Sequence, residues 1–299
     1  GMNSYSELPF QYEQDVWSLL LARAAQGLRA GCGREAEAVV RTAARTMGFK
    51  RGEAARERAA AQGIKADLET LHSGCAWCSM DPRCRRRILR SKPDVVLYEV
   101  DTCPLAGLWA MLDASDVGTW YCEEFTHGQM AGYTAGAGQV NLATRLTYTG
   151  RTENIAFMDD NCCRFSEYYR AANAVPALRD AAFGEGLSAA TPADAAAQQD
   201  DLRHRCVELL NELYAAAEEQ LGTPGLCALA GALRDAAPEL ADIYRKHAAD
   251  LLMEPDRAFL RLHFPLALET AEEPLWAAAA AEFVQINLLD PFKAALGVD

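Results

Sequence analysis

The chain has 299 residues, 50% of them hydrophobic and 24% charged, with a net charge of −13. That charge argues against nucleic acid or an anionic membrane as the partner, and no apolar run approaches the roughly 20 residues that span a bilayer. The length suffices for one large domain or two ordinary ones with a sizeable core.

The opening Gly1-Met2-Asn3-Ser4-Tyr5 has neither a basic start nor an apolar core, which predicts no signal peptide. Ten cysteines then fit reduced thiols in a cytoplasmic protein. From Gln11 to about Ala30, Val16, Leu19, Leu20 and Arg23 follow helical spacing, and Gly31-Cys32-Gly33 ends the helix. A second helix from Arg34 carries Ala36, Val39, Val40, Ala43 and Met47 on one face and is expected to stop at Gly48. A polar helical stretch follows over 53–61. Another helical pattern runs from Ala66 to Leu89, interrupted at Ser73-Gly74 and Asp81-Pro82. It makes the basic run Arg83, Arg85, Arg86, Arg87 and Arg90 a solvated helix face or an anion site.

The period then changes. Asp94 to Val100 is β-branched and aromatic and reads as a strand. Pro104 opens a helix to about Leu112, and Asp116 is expected to cap the next one, which holds Trp120, Cys122, Phe125 and His127. Gly132 to Gly138 reads as a glycine-rich loop. Gln139 to Tyr148 alternates polar and apolar residues as a half-buried strand does, and Ile155 to Tyr169 returns antiparallel after a turn at Gly150. Thr191-Pro192-Ala193-Asp194 starts a long helix, and Gly222–Gly225, Pro238, Pro255, Pro265 and Pro274 divide the remainder into four or five helices. The fold class is therefore α+β, a small antiparallel sheet flanked by helices. The expected organisation is a helical segment over 1–92, an α+β centre over 93–175 and a helical segment over 176–299.

Seven of the ten cysteines fall between Cys75 and Cys163, together with most of the chemistry. Cys75, Cys78 and Cys84 give a C-x2-C-x5-C spacing. Such thiols are structural, redox-active, or ligands of a zinc ion with Cys103 or His72 as the fourth. Apart from that zinc option no cofactor is expected, because nucleotide, H-E-x-x-H and G-x-S-x-G signatures are absent. His127 precedes the glycine loop and is either a hydrogen-bonded structural residue or a base. Asp159 and Asp160 either form a turn or are paired carboxylates suited to acid–base work.

Cys103-Pro104-Leu105 after a strand, Tyr121-Cys122 on the next helix, and Arg151-Thr152-x-x-Ile155-Ala156-x-x-Asp159-Asp160-x-Cys162 with Phe165 beyond resemble the L-2-amino-thiazoline-4-carboxylic acid hydrolase family over about residues 94–170. Met158 stands where that family has glycine, and Phe125-Thr126-His127 where it has an aspartate. The resemblance implies hydrolysis of a cyclic amidine, opening 2-aminothiazoline-4-carboxylate to N-carbamoylcysteine. That chemistry asks for a cation on the substrate carboxylate, Arg145 or Arg151, with Asn141 and Thr152 as further binding candidates. It also asks for Asp159 or Asp160 on the amidinium, and for His127 as base or a thiolate of Cys103, Cys122 or Cys162 as nucleophile. The partner is then a small-molecule substrate, with the oligomeric state open. The Cys-x-Phe ending also resembles sensing domains of the four-vinyl-reductase type, which implies a non-catalytic binder instead.

Overall fold

The structure is a computed structural model that describes residues 8–74, 81–143, 163–186 and 195–299. It divides into two compact units, one of residues 1–43 with 199–299 and one of residues 44–198.

The first unit is helical. It contains α1 (Leu8–Cys32), the opening of α2 (Glu35–Ala61) and most of a long helix α7 (Ala195–Asp250), followed by α8 (Arg257–His263), α9 (Ala278–Val284) and α10 (Asp290–Leu296). Small residues set how closely α1 and α7 pack. A Cβ on Gly27 would come within 2.4 Å of the Ala232 methyl, and one on Gly31 within 2.8 Å of Ala228. Arg23 locks the pair with a two-pronged bond to Glu239, at 3.0 and 2.7 Å. The expected break in α7 occurs at Gly222, with φ 60° and ψ −143°. Pro238 does not end the helix, contrary to expectation. Ala236, Ala237, Leu240 and Ala241 around it are all buried, and that burial outweighs one missing backbone bond.

The second unit holds the rest of α2, α3 (Leu68–Gly74), β1 (Arg85–Lys92), β2 (Val95–Thr102), α4 (Pro104–Met111), α5 (Ser115–Thr134), β3 (Gln139–Ala143), β4 (Cys163–Tyr168) and α6 (Pro176–Phe183). The sheet is antiparallel in the order β1-β2-β4-β3. The expected strand, the Pro104 helix and the antiparallel return therefore form. The parts of the hairpin over 144–162 and the start at 191–194 lie outside the described residues.

Four further expectations are corrected. Gly48 does not stop α2, because Gly48 and Gly52 lie against α5, where Gly128 and Gly132 face back. A Cβ on Gly48 would sit 2.2 Å from the Phe125 carbonyl oxygen, and one on Gly132 2.1 Å from that of Phe49. Glycines four apart let the two backbones touch, as small-xxx-small patterns do. Gly132 is thus helical, and the loop shrinks to 135–138, where Ala135 and Gly136 take φ 52° and 84°. Residues 85–89 are strand rather than helix, since cross-strand pairing with β2 supplies what arginine's weak strand preference does not. Asp116 lies inside the first turn of α5, with Ala114 in the capping position.

The core of this unit joins Leu68, Leu71, Val96, Met130, Tyr133 and Tyr169. Asp67 caps α3 by accepting from the Thr70 amide at 2.9 Å, and the Tyr133 hydroxyl donates to the Asp67 carbonyl at 2.6 Å.

Candidate functional site

Strand register decides which side chains share a face. The Cα partners Val100↔Cys163, Tyr98↔Phe165 and Val96↔Glu167 put Cys163, Phe165 and Glu167 on one face of β4. Arg86, opposite Val100, joins that face through its contacts to His72 and Tyr98. The other face carries Arg87, Glu99, Asp101 and Arg164, tied by ion pairs of 2.5 to 3.1 Å. Asn141, opposite Ser166, is exposed and belongs to this second face.

At one end of the first face, thiols converge. Cys103 occupies the N-cap of α4 immediately after β2, with extended backbone and no side-chain cap bond. Cys122 comes from α5 and Cys163 from the start of β4. The Cys122 thiol is pushed well above the ordinary value, first by desolvation and then by the charges of Cys103, Cys163 and Glu123. It is therefore a neutral thiol at neutral pH. Cys103 instead sits where helix N-terminal amides favour negative charge. The α4–α5 hairpin holds both cysteines in position. Trp109 is fully buried, and its ring lies where a Cβ on Gly118 would come within 2.2 Å.

At the other end is a polar network that the sequence reading did not assemble. His72 Nε2 is hydrogen-bonded to Glu167 Oε2, and the two side chains are only 8% and 3% exposed. Arg86 Nη2 lies 3.1 Å from His72 Nδ1, with its guanidinium 4.7 Å over the Tyr98 ring. Tyr98 stacks on Phe165 at 4.5 Å with the rings nearly parallel, and its hydroxyl is 3.5 Å from Glu167 Oε1. One signal was available in the sequence. Glu167 falls in phase with Cys163 and Phe165 on an alternating strand, so an acid occupies a core position.

Among the described residues, Cys103 and Cys163 both act electrostatically on Cys122. His127 is not brought to them. It is exposed on α5 and its Nδ1 meets the Glu123 carbonyl at 2.7 Å, a local helix contact. Cys84 is half-buried ahead of β1, and among the described residues no group of three or more His, Cys, Asp or Glu is arranged to hold a metal. Cys75, Cys78, Arg145, Arg151, Thr152, Asp159, Asp160 and Cys162 lie outside the described residues. A cavity of about 240 Å³ belongs to the other unit. It is lined by charges of both signs, among them Arg257 and Glu269, which pair at 2.9 Å.

The model of the L-2-amino-thiazoline-4-carboxylic acid hydrolase family matches residues 17–166, half the chain, and the chain belongs to this family. The match starts in α1, well before the segment whose motifs carried the resemblance. No curated protein and no solved structure matches the chain. Among the described residues, no helix is long and apolar enough to cross a membrane.

Proposed function

We propose that the protein hydrolyses a small cyclic amidine, opening L-2-amino-thiazoline-4-carboxylate to N-carbamoylcysteine. The observation that carries this reading is the hydrolase-family match over residues 17–166, a segment in which the charges of Cys103 and Cys163 both act on the Cys122 thiol. The family supports a hydrolase, and the thiols supply a nucleophile.

We assign the nucleophile to Cys103, at the start of α4 where helix amides favour a thiolate, while burial holds the Cys122 thiol up. The Cys103 sulfur adds to the amidine carbon, and the ring carbon–sulfur bond breaks. The substrate's own sulfur leaves as a thiolate and takes a proton. Water then attacks the S-linked isothiourea and expels Cys103, leaving a carbamoyl group, so one water is consumed overall. Asp159 or Asp160 remains the candidate partner of the amidinium. The reaction needs no cofactor, its partner is a small molecule, and its free thiol suits a cytoplasm.

The test is to incubate the purified protein with L-2-amino-thiazoline-4-carboxylate and follow free thiol and N-carbamoylcysteine. Catalytic appearance of both is expected. Ligand binding without either product would favour a sensor and end the hydrolase reading.

A further inference from the structure

Arg86, on the sheet face beside the thiols, carries a donor that the described residues leave unmatched. Among the described residues the carboxylate in contact with the pair Arg86 and His72 is Glu167, which takes His72 Nε2, while His72 Nδ1 meets Arg86 Nη2. The Glu99 and Asp101 carboxylates lie on the opposite face with Arg87 and Arg164. Arg86 Nε is buried and has no hydrogen-bond partner among the described residues. An orphaned buried donor costs on the order of 1–3 kcal/mol, and natural proteins retain few of them. Its neighbour Nη2 meets a histidine nitrogen, so among the described residues no carboxylate takes the side-on edge of the guanidinium, which is shaped to bind one bidentately.

Local geometry fixes this arrangement. β1 departs from regular register between Arg85 and Arg86 and again between Ile88 and Arg90. Such irregularities re-aim side chains, and here they bracket the residue that turns inward. Arg86 is sandwiched in place by the Tyr98 ring, itself stacked on Phe165. Glu167 orients His72 from behind. In the cross-strand row Arg86–Val100–Cys163, the arginine and the nearest thiol strand position are two strand spacings apart, about 10 Å. An arginine side chain and a five-membered ring with a carboxylate fit within that span.

We propose that Arg86, positioned by His72 and Tyr98, forms a carboxylate-binding subsite, which holds the acid group of a small heterocyclic substrate while its ring faces the thiols. The role is assigned to Arg86 in place of Arg145 or Arg151. It rests on the hydrolase reading for the substrate class and on the unmatched donor for the location. The subsite selects acids over the same ring without the acid.

The test compares L-thiazolidine-4-carboxylate with thiazolidine, which lacks only the carboxylate, by calorimetry on the full chain. Wild type is expected to bind the acid, Arg86→Gln at least about tenfold more weakly, and both proteins to bind the bare ring alike. Arg86→Lys keeps the charge without the fork and is expected to lie between. A thermal melt confirms that each variant folds, and the lysine variant decides the matter if the glutamine variant does not. Equal affinity of wild type and variants for the acid overturns the proposal, as does no binding of the acid to wild type, or equal losses for acid and bare ring. Turnover of the aminothiazoline carboxylate with an unchanged KM in Arg86→Gln sinks the subsite alone. Absent turnover, with acid binding lost in that variant, sinks the hydrolase reading alone.

Discussion

Gly132 of α5 meets the Phe49 carbonyl of α2 so closely that an added Cβ would lie 2.1 Å from the oxygen. Backbone opposes backbone there, so neither side can yield by a rotamer change. Gly132→Ala is expected to destabilise the protein by about 2–3 kcal/mol, read from urea unfolding. Gly107 on α4 has open space where its Cβ would be. Gly107→Ala is therefore expected to be neutral or to stabilise by about 0.5–1 kcal/mol. Equal effects at both positions would contradict the close approach.

The same contact explains what the sequence left hidden. A glycine within a helical pattern looks like a stop until its partner helix is known, as Gly48 does, and Gly132 looks like the start of a loop. The β-branched run of β2 and the alternation of β3 needed no partner to be legible. Arg85 to Lys92 did, because their strand exists through β2. For the site, Cys103 and Cys122 stood out locally beside Pro104 and Tyr121. His72 and Glu167 are 95 residues apart and meet only when α3 packs over the sheet.

Acid sensitivity is expected in the helical unit. The His247 ring is fully buried, stacks 3.7 Å from Tyr12 and has no hydrogen-bond partner on either nitrogen among the described residues. Desolvation first, and then His263, lowers its pKa from 6.5 to about 4, with Asp250 opposing. The folded state thus resists a proton that the unfolded chain accepts. Stability is present above pH 6.5 and is lost as pH falls from there to about 4. The loss is on the order of 2 kcal/mol after allowance for solvent screening. Urea unfolding at pH 7 and pH 5 measures it, and His247→Phe is expected to flatten the difference. His263, also held low by desolvation, accounts for what slope remains.

Thiol reactivity should follow environment. Among the described cysteines, Cys103, the proposed thiolate, and the exposed Cys227 are expected to react first with iodoacetamide at pH 8. Cys122 and Cys206 are expected to react last, since desolvation pushes both thiols well above the ordinary value. Mass mapping of the labelled cysteines over time checks the order. Early labelling of Cys122 would overturn its assignment as the neutral member of the cluster.

The division of labour between Cys103 and Cys122 is the central claim, and steady-state opening of L-2-amino-thiazoline-4-carboxylate by single cysteine variants tests it most directly. With folding confirmed by thermal melts, Cys103→Ala is expected to lose turnover by at least about 100-fold, while Cys227→Ser matches the wild type. Wild-type turnover by Cys103→Ala would contradict the account.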